Sequence, residues 1–574
     1  PPQTYKPVFF RLLNGGEEDK RLALASGEHR FDEAAQDEFK KVPGSPVAYW
    51  ASGAFRALFE SNENLGSKLT TRQGLATGDN NRFVRVWQEV CIDSISPSSD
   101  NNNHEGKWAF FISGGKYRKW HGNVEWVVNW ENDGLEIRNN KDPNGRLRSR
   151  PQSMSFYFKE NIVCAALTSG DNAFRYSPPG TIFDVNVRAS FAAERGFLVA
   201  LLAVLNSPVM RTFSAVLSPT LALNIKELEL TPLPATVISE PVILSSLRCV
   251  NGAKQDWDAY ERSWDFQSLP LLTASSEPTP TLESSYTAWI TQNRDTIAEM
   301  KRLEEENNRL FIDAYGLADE LTPDVPIEQI TLTVNPAYRY GGKLTEEEQW
   351  TRFRQDTMEE LVSYAIGCMM GRYSLDAPGL IYAHSGNEGF DPRKYLSYPA
   401  DIDGILPVLD GEWFEDDVPS RLREFLLAAF PETSVLDNLR FIEQGLGKTI
   451  RKYICSDFYK SHLQSYKKRP IYWMVQSPKG GFACLIYLHR YTRDTLNLVL
   501  NNYFRPYLQK LEARSAQLEQ DQLNESLPKR EQTAARKEAE KINKVLKECQ
   551  AWEQDALLPL AQQRIELDLD DGVK

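Results

Sequence analysis

The sequence predicts an α+β protein, with a β-rich domain followed by mainly helical domains and a C-terminal helical hairpin. Three observations carry this. Over residues 66–235, short aromatic runs alternate with turn dipeptides. Beyond residue 281, apolar residues recur at three- and four-residue steps. Near the end, two apolar-periodic arms flank Pro528.

The first 65 residues mix apolar runs with charge and read as a helical junction with a hinge at Gly15-Gly16. From residue 66 to 235 come the runs Lys107-Trp108-Ala109-Phe110-Phe111-Ile112, Trp126-Val127-Val128-Asn129-Trp130 and Phe156-Tyr157-Phe158. Between them lie Gly114-Gly115, Asp133-Gly134 and Asn144-Gly145, the pattern of an antiparallel sheet joined by tight turns. A helix over 191–205 closes this domain. Residues 236–280 form a connector ending in Ser275-Ser276-Glu277-Pro278-Thr279-Pro280, whose prolines cannot continue a helix. Residues 281–345 hold a long helix, with Tyr286, Trp289, Ile290, Ile297 and Met300 on one face, ending near Gly316. Residues 346–500 read as a mixed, mainly helical domain. Residues 501–574 read as the hairpin, with Leu508, Leu511 and Leu518 facing Ala535, Ala539, Ile542 and Leu546.

Composition bounds the function. Of 574 residues, 41% are hydrophobic and 25% charged, with 13 Trp and 23 Tyr, which excludes a disordered chain. No apolar window approaches the roughly 20 residues that span a bilayer; residues 196–205 read as a buried helix, so no membrane partner is expected. Starting at Pro1 and ending in a charged stretch, the chain reads as an excised piece. Seven dispersed cysteines without a CxxC pair, and six scattered histidines, predict reduced thiols, a cytoplasmic setting and no metal. The net charge of −13 speaks against nucleic acid as a whole, but phosphate binding depends on local charge. Residues 66–160 carry 14 Lys and Arg against 11 Asp and Glu, a local excess of +3.

Three segments could touch DNA. The loop Gly74-Leu75-Ala76-Thr77-Gly78-Asp79-Asn80-Asn81-Arg82-Phe83 lets backbone approach a ligand, with Thr77, Asn80, Arg82 and Arg85 as polar contacts; it also fits a plain glycine-rich hairpin loop. The stretch Lys116-Tyr117-Arg118-Lys119-Trp120 interleaves three cations with two aromatics, suiting phosphates, guanine edges or stacked bases, or else a solvated hairpin tip. Arg146, Arg148 and Arg150 alternate as on one face of a strand, a row that suits a DNA backbone or simple solvation. Two look-alikes are set aside. Gly445-Leu446-Gly447-Lys448-Thr449 has Ile442 where a phosphate loop needs glycine. Asn335-Pro336-Ala337-Tyr338 differs from the Asn-Pro-Pro-Tyr of adenine methyltransferases at Ala337, and no glycine-rich cofactor loop precedes it.

Gly74-Leu75-Ala76-Thr77-Gly78-Asp79-Asn80 followed by Arg82-Phe83, then Gly114-Gly115-Lys116-Tyr117-Arg118-Lys119-Trp120, resembles the stretch after the methyltransferase domain in BREX phage-defence adenine methyltransferases of the PglX family. Tyr5-Lys6-Pro7-Val8-Phe9-Phe10-Arg11-Leu12 resembles the junction itself. Lys254-Gln255-Asp256-Trp257-Asp258, Glu306-Asn307-Asn308-Arg309-Leu310-Phe311, Gly371-Arg372-Tyr373-Ser374 and Lys468-Arg469-Pro470-Ile471-Tyr472-Trp473 continue the likeness in order. The resemblance implies N6-adenine methylation of a duplex DNA site by an S-adenosylmethionine-dependent parent working with other BREX proteins. This segment would then supply target recognition, with no catalytic or cofactor residues of its own. The other readings are a protein-interaction scaffold without DNA contact, or the specificity portion of a fused restriction-modification enzyme.

Overall fold

The computed structural model describes residues 5–12, 15–96, 106–168, 170–217, 222–431 and 433–572. The fold is α+β, as expected. The chain forms two compact units, each assembled from three stretches: Pro1–Phe83, Ser96–Trp257 and Arg294–Gly342 make the first, and Val84–Ile95, Asp258–Asn293 and Lys343–Lys574 the second.

The first unit holds most of the strands. Arg175–Ser177, Asn161–Ala165, Val187–Phe191 and Thr70–Arg72 form a four-stranded antiparallel sheet in that order. Elsewhere Thr181–Phe183 runs parallel to Trp108–Ile112, which pairs antiparallel with Trp126–Asn129. Trp108–Ile112 is buried along its whole length, so its unbroken run of large side chains is a strand covered on both faces rather than an amphipathic edge. Two short strands, Leu75–Ala76 and Arg150–Pro151, pair antiparallel and tie the glycine loop to the arginine row.

The helix expected over 191–205 begins later. Phe191 ends the strand Val187–Phe191, and the helix is Arg195–Leu205, buried from Leu198 to Leu205. β-branched and aromatic residues before Ala192 favour the pleated strand, and only the Leu-Val-Ala run after Gly196 favours the helix. Together with Pro208–Leu217 it makes a pair bent by 72°; among the described residues no single helix is long and apolar enough to cross a membrane. The junction is only partly helical. Glu17–Ser26 begins after its N-cap Gly16, next to Gly15, whose φ of +81° turns the chain, and Gly53–Ser61 follows the extended N-cap Ser52.

The long helix runs Leu282–Ala314, and Gly316, at φ +65°, lets the chain leave it. In the second unit, Ala483–Tyr487 is the centre of an antiparallel sheet between Ile405–Pro407 and Tyr472–Gln476, packed on Glu346–Met369. Arg505–Leu523 and Lys529–Trp552 form the expected hairpin, burying Leu508, Leu511 and Leu518 with Ala535, Ala539, Ile542 and Leu546.

Both look-alike motifs are helix ends. Gly447 is a left-handed C-cap, Lys448 pairs with Asp457, and the Thr449 hydroxyl caps the next helix. Asn335 caps Pro336–Tyr340: its Oδ1 accepts from the Ala337 amide at 3.2 Å, and its Nδ2 donates to the carbonyls of Ile327 and Ile330 at 2.7 and 2.8 Å. Before it, Ile327–Gln329 is a 3-10 turn, and Ile330, Thr331 and Leu332 form no strand.

Candidate nucleic-acid interface

The glycine loop is built by close approach. A Cβ on Gly74 would lie 1.9 Å from the Phe183 carbonyl oxygen, so only glycine lets this backbone pass the end of the buried sheet. Gly78 has φ +73° and faces the Arg148 carbonyl, where a Cβ would sit 2.6 Å from its carbon. Thr77 is buried; its hydroxyl donates to the Asn80 side chain and accepts from the Asp79 amide at 3.3 Å. Asp79 accepts from the Arg82 amide at 3.2 Å and starts the one-turn helix Asn80–Phe83. The Asn140 side chain donates to the Thr77 carbonyl at 3.1 Å, and the Arg148 amide to the Asn140 carbonyl at 2.9 Å. Two segments about seventy residues apart are thereby locked into one surface.

Asn80, Arg82, Arg146, Arg148 and Arg150 are all exposed there. Arg82 forms an ion pair with Glu136, which also accepts from the Asn129 side chain at 3.0 Å. Asp142 organises the turn between the helix and the arginines, accepting from the Asn144 and Arg146 amides at 2.9 and 2.8 Å. Ser149 is buried between two exposed arginines, its hydroxyl bonded to the Ile137 carbonyl. That alternation holds Arg148 and Arg150 outward, although only Arg150–Pro151 is strand. Among the described residues none of the guanidiniums of Arg146, Arg148 and Arg150 has an ion-pair partner.

Beside the loop lies a polar cleft of about 490 Å³, lined by Arg82, Asn129, Asn132, Asn139, Asn140 and Lys141 among others. Asn132, Asp133 and Gly134 are three consecutive residues in the left-handed region, at φ 50°, 57° and 69°, at the start of Glu131–Arg138. Left-handed backbone costs roughly 1–2 kcal/mol per non-glycine residue, so the surroundings must enforce it. Here the Trp130 ring fills the space under Gly134, where a Cβ would meet it at 2.6 Å. These asparagines were not legible in the sequence, because amides spread along a turn carry no spacing signature.

A larger cleft, about 890 Å³, is bounded by Lys68, Lys159, Arg195, Phe156, Tyr176 and Thr70, among others. Lys159 lies over the Phe156 ring at 5.4 Å and Arg195 over Tyr176 at 5.7 Å. Thr70 is seven residues from Thr77, at most about 25 Å of chain.

The second expected DNA loop is of a different kind. Lys116 is exposed and Tyr117 half-buried, its carbonyl accepting from the Tyr338 hydroxyl. Arg118, Lys119 and Trp120 are buried, and this corrects their reading as DNA contacts. Arg118 Nη2 meets Asp256 at 2.5 Å, its Nε donates to the His121 carbonyl at 2.8 Å, and Nη1 to the Thr333 hydroxyl at 3.0 Å. The carboxylate of Asp256 is fully engaged: the Thr333 and Val334 amides also donate to it, at 2.7 and 2.9 Å. Lys119 pairs with Glu304, to which the Trp120 indole also donates at 2.7 Å. Beside them Arg175 is buried, and desolvation lowers its guanidinium to about 10. A cation buried against a carboxylate is out of reach of a phosphate at the surface. Arg85 is likewise buried, clamping the carbonyls of Asp570 and Asp571 at 2.9 and 3.1 Å, with burial pulling its pKa down.

No protein-family model matches the chain. It is 36% identical over 591 residues to the adenine-specific methyltransferase BrxX of Escherichia coli O9:H4 (strain HS), covering 99% of this chain and 47% of that protein. It is also 36% identical over 559 residues to the adenine-specific methyltransferase PglX of Lacticaseibacillus casei (strain Zhang), covering 94% of this chain and 44% of that protein. The chain thus spans about half the length of the curated relatives it matches.

Proposed function

We propose, on the premise that this chain belongs over its whole length with about half of the BrxX and PglX adenine-specific methyltransferases, that its first unit selects the DNA site at which the parent enzyme methylates adenine. The observation that carries the reading is the convergence of the glycine loop with the unpaired row Arg146, Arg148 and Arg150 beside an asparagine-lined cleft. The arginines would bind phosphates and fix register on the duplex. Asn132 and Asn139 offer amides, the side chains that pair with the N6 and N7 edge of adenine in a major groove.

The nearest match to the methyltransferase motif does not fit a flipped base. Its Asn335 is 1% exposed, and both ends of the amide are used, the oxygen in capping a helix and the nitrogen on carbonyls of the preceding turn. We assign no catalytic step to this chain. In the parent, transfer to adenine N6 and cooperation with other BREX proteins in phage defence belong to the same proposal, and the methyl donor would be S-adenosylmethionine.

The test is site mapping. Asn132→Ala with Asn139→Ala in the intact parent should relax or abolish the methylated motif in modification-sensitive sequencing, each base interaction removed costing about 1–3 kcal/mol of discrimination. An unchanged motif would remove these amides from the readout.

A further inference from the structure

We propose that Cys91, Asp93 and His384 form a binding site for a thiophilic divalent transition metal, with Zn²⁺ the best fit. One ligand atom from each residue lies within 4.8 Å of the other two. The three come from two stretches of the second unit almost three hundred positions apart, so the expectation of no metal, drawn from chain spacing, could not see them. The backbone makes the pairing specific: the Ile92 amide donates to the Ala383 carbonyl at 3.0 Å, pinning residues 91–93 against 383–384. Ser94 Oγ donates to the Cys91 carbonyl at 2.9 Å, and the Tyr382 ring meets the His384 imidazole edge-on at 5.2 Å.

Thiolate, imidazole and carboxylate together are the donor set of tetrahedral zinc, and three protein ligands leave a fourth position open to solvent. Bond lengths of about 2.0–2.3 Å place ligands about 3.3–3.7 Å apart around zinc, so the triangle needs to tighten by little. The Nδ1 of His384 lies 2.7 Å from Asp93 Oδ2, a hydrogen-bonded edge that has to open by about 1 Å or less, the difference to that ligand spacing, to admit the metal.

A cysteine, histidine and aspartate also suggest a nucleophilic relay, but the shape argues against it. In a relay the imidazole stands between the other two, separating thiol from carboxylate by roughly 7 Å. Here sulfur and carboxylate oxygen lie within 4.8 Å of one another, a closed triangle. Exposure fits capture from solution: Asp93 is exposed, and Cys91 and His384 are half-buried. Binding would displace the thiol proton, forming an S–metal bond and releasing H⁺ to solvent.

The experiment uses the full chain, stripped with a chelator and titrated with Zn²⁺ alone against a chromophoric chelator. One equivalent should bind, and Zn²⁺ should shield Cys91 from a thiol reagent while exposed Cys455 still reacts. Cys91→Ser and His384→Ala should each weaken binding by about 100-fold or more, beyond the roughly 10–100-fold typical of outer-shell changes, and Cys455→Ser should not. Cys91→Ser exchanges one atom at a partly exposed position, so loss of binding there cannot be loss of fold. Absence of stoichiometric binding, or equal binding by both ligand variants, would overturn the site. So would a metal-free Cys91 whose alkylation is fast and slows in His384→Ala, since that is the relay.

Discussion

At the scale of single residues, burial sorts cations that look alike in sequence. Arg118 and Arg148 are both arginines in glycine-framed basic stretches, yet one is 2% exposed against Asp256 and the other faces solvent. Truncating Arg118 strands a buried carboxylate, which typically costs about 3–5 kcal/mol. Arg118→Ala should therefore lower the denaturant midpoint of the first unit sharply, whereas Lys116→Ala should stay within about 0.5 kcal/mol of wild type. Equal effects would contradict the assignment. In the second unit, Asp403 accepts from the Tyr503 hydroxyl at 3.1 Å beside Asp401 and Asp416, and burial pushes its carboxyl up to about 7. Its ordinary value is 3.8, so the folded chain binds an extra proton between about pH 4 and 7. Stability from this group is therefore present at low pH and lost as pH rises through 7. Asp403→Asn should raise the melting temperature relative to wild type at pH 8, with the difference shrinking toward pH 5; a difference that grows on acidification would refute it. The comparison with the variant matters because His462, held neutral by burial at about 3, changes stability in the opposite sense.

At the scale of elements, close approach decides more than periodicity. Gly74 and Gly78 were legible as a loop, but not the reason for each glycine, which lies in segments far away in sequence. Gly74→Ala should destabilise the first unit by about 3 kcal/mol or more, since the Phe183 carbonyl cannot retreat from a buried strand. Gly27→Ala, at φ +77° with open space around it, isolates the left-handed cost of about 1 kcal/mol. Thermal unfolding of the two variants separates them, and similar losses would mean that the backbone around Gly74 relaxes. Helical spacing was the most readable signal: the Leu282–Ala314 helix and the C-terminal hairpin follow directly from their apolar steps. The helix start at Arg195 was not, because residues 191–193 continue the apolar run while Phe191 ends a strand and residues 192–194 lie between strand and helix. Basic stretches were least readable, since sequence gives charge but not the carboxylate waiting across the fold.

At the scale of the whole molecule, the −13 net charge and the basic surface are reconciled by distribution. Arg82, Lys141, Arg146, Arg148 and Arg150 are exposed on the loop and turn between residues 77 and 150, and phosphate binding depends on such local charge rather than on the total. Neither unit is continuous in the chain, and for that reason division along the sequence could locate the β-rich region without tracing the units. The likeness to half of the BrxX and PglX enzymes supplies the chemistry that this surface would direct. The most direct test of that role is duplex binding by this chain at several salt concentrations, comparing wild type with Arg146→Ala, Arg148→Ala and Arg150→Ala combined. The account predicts weaker binding to all sequences and a salt slope reduced by about one for each phosphate that is no longer neutralised. Identical affinity and slope in the two proteins would contradict it.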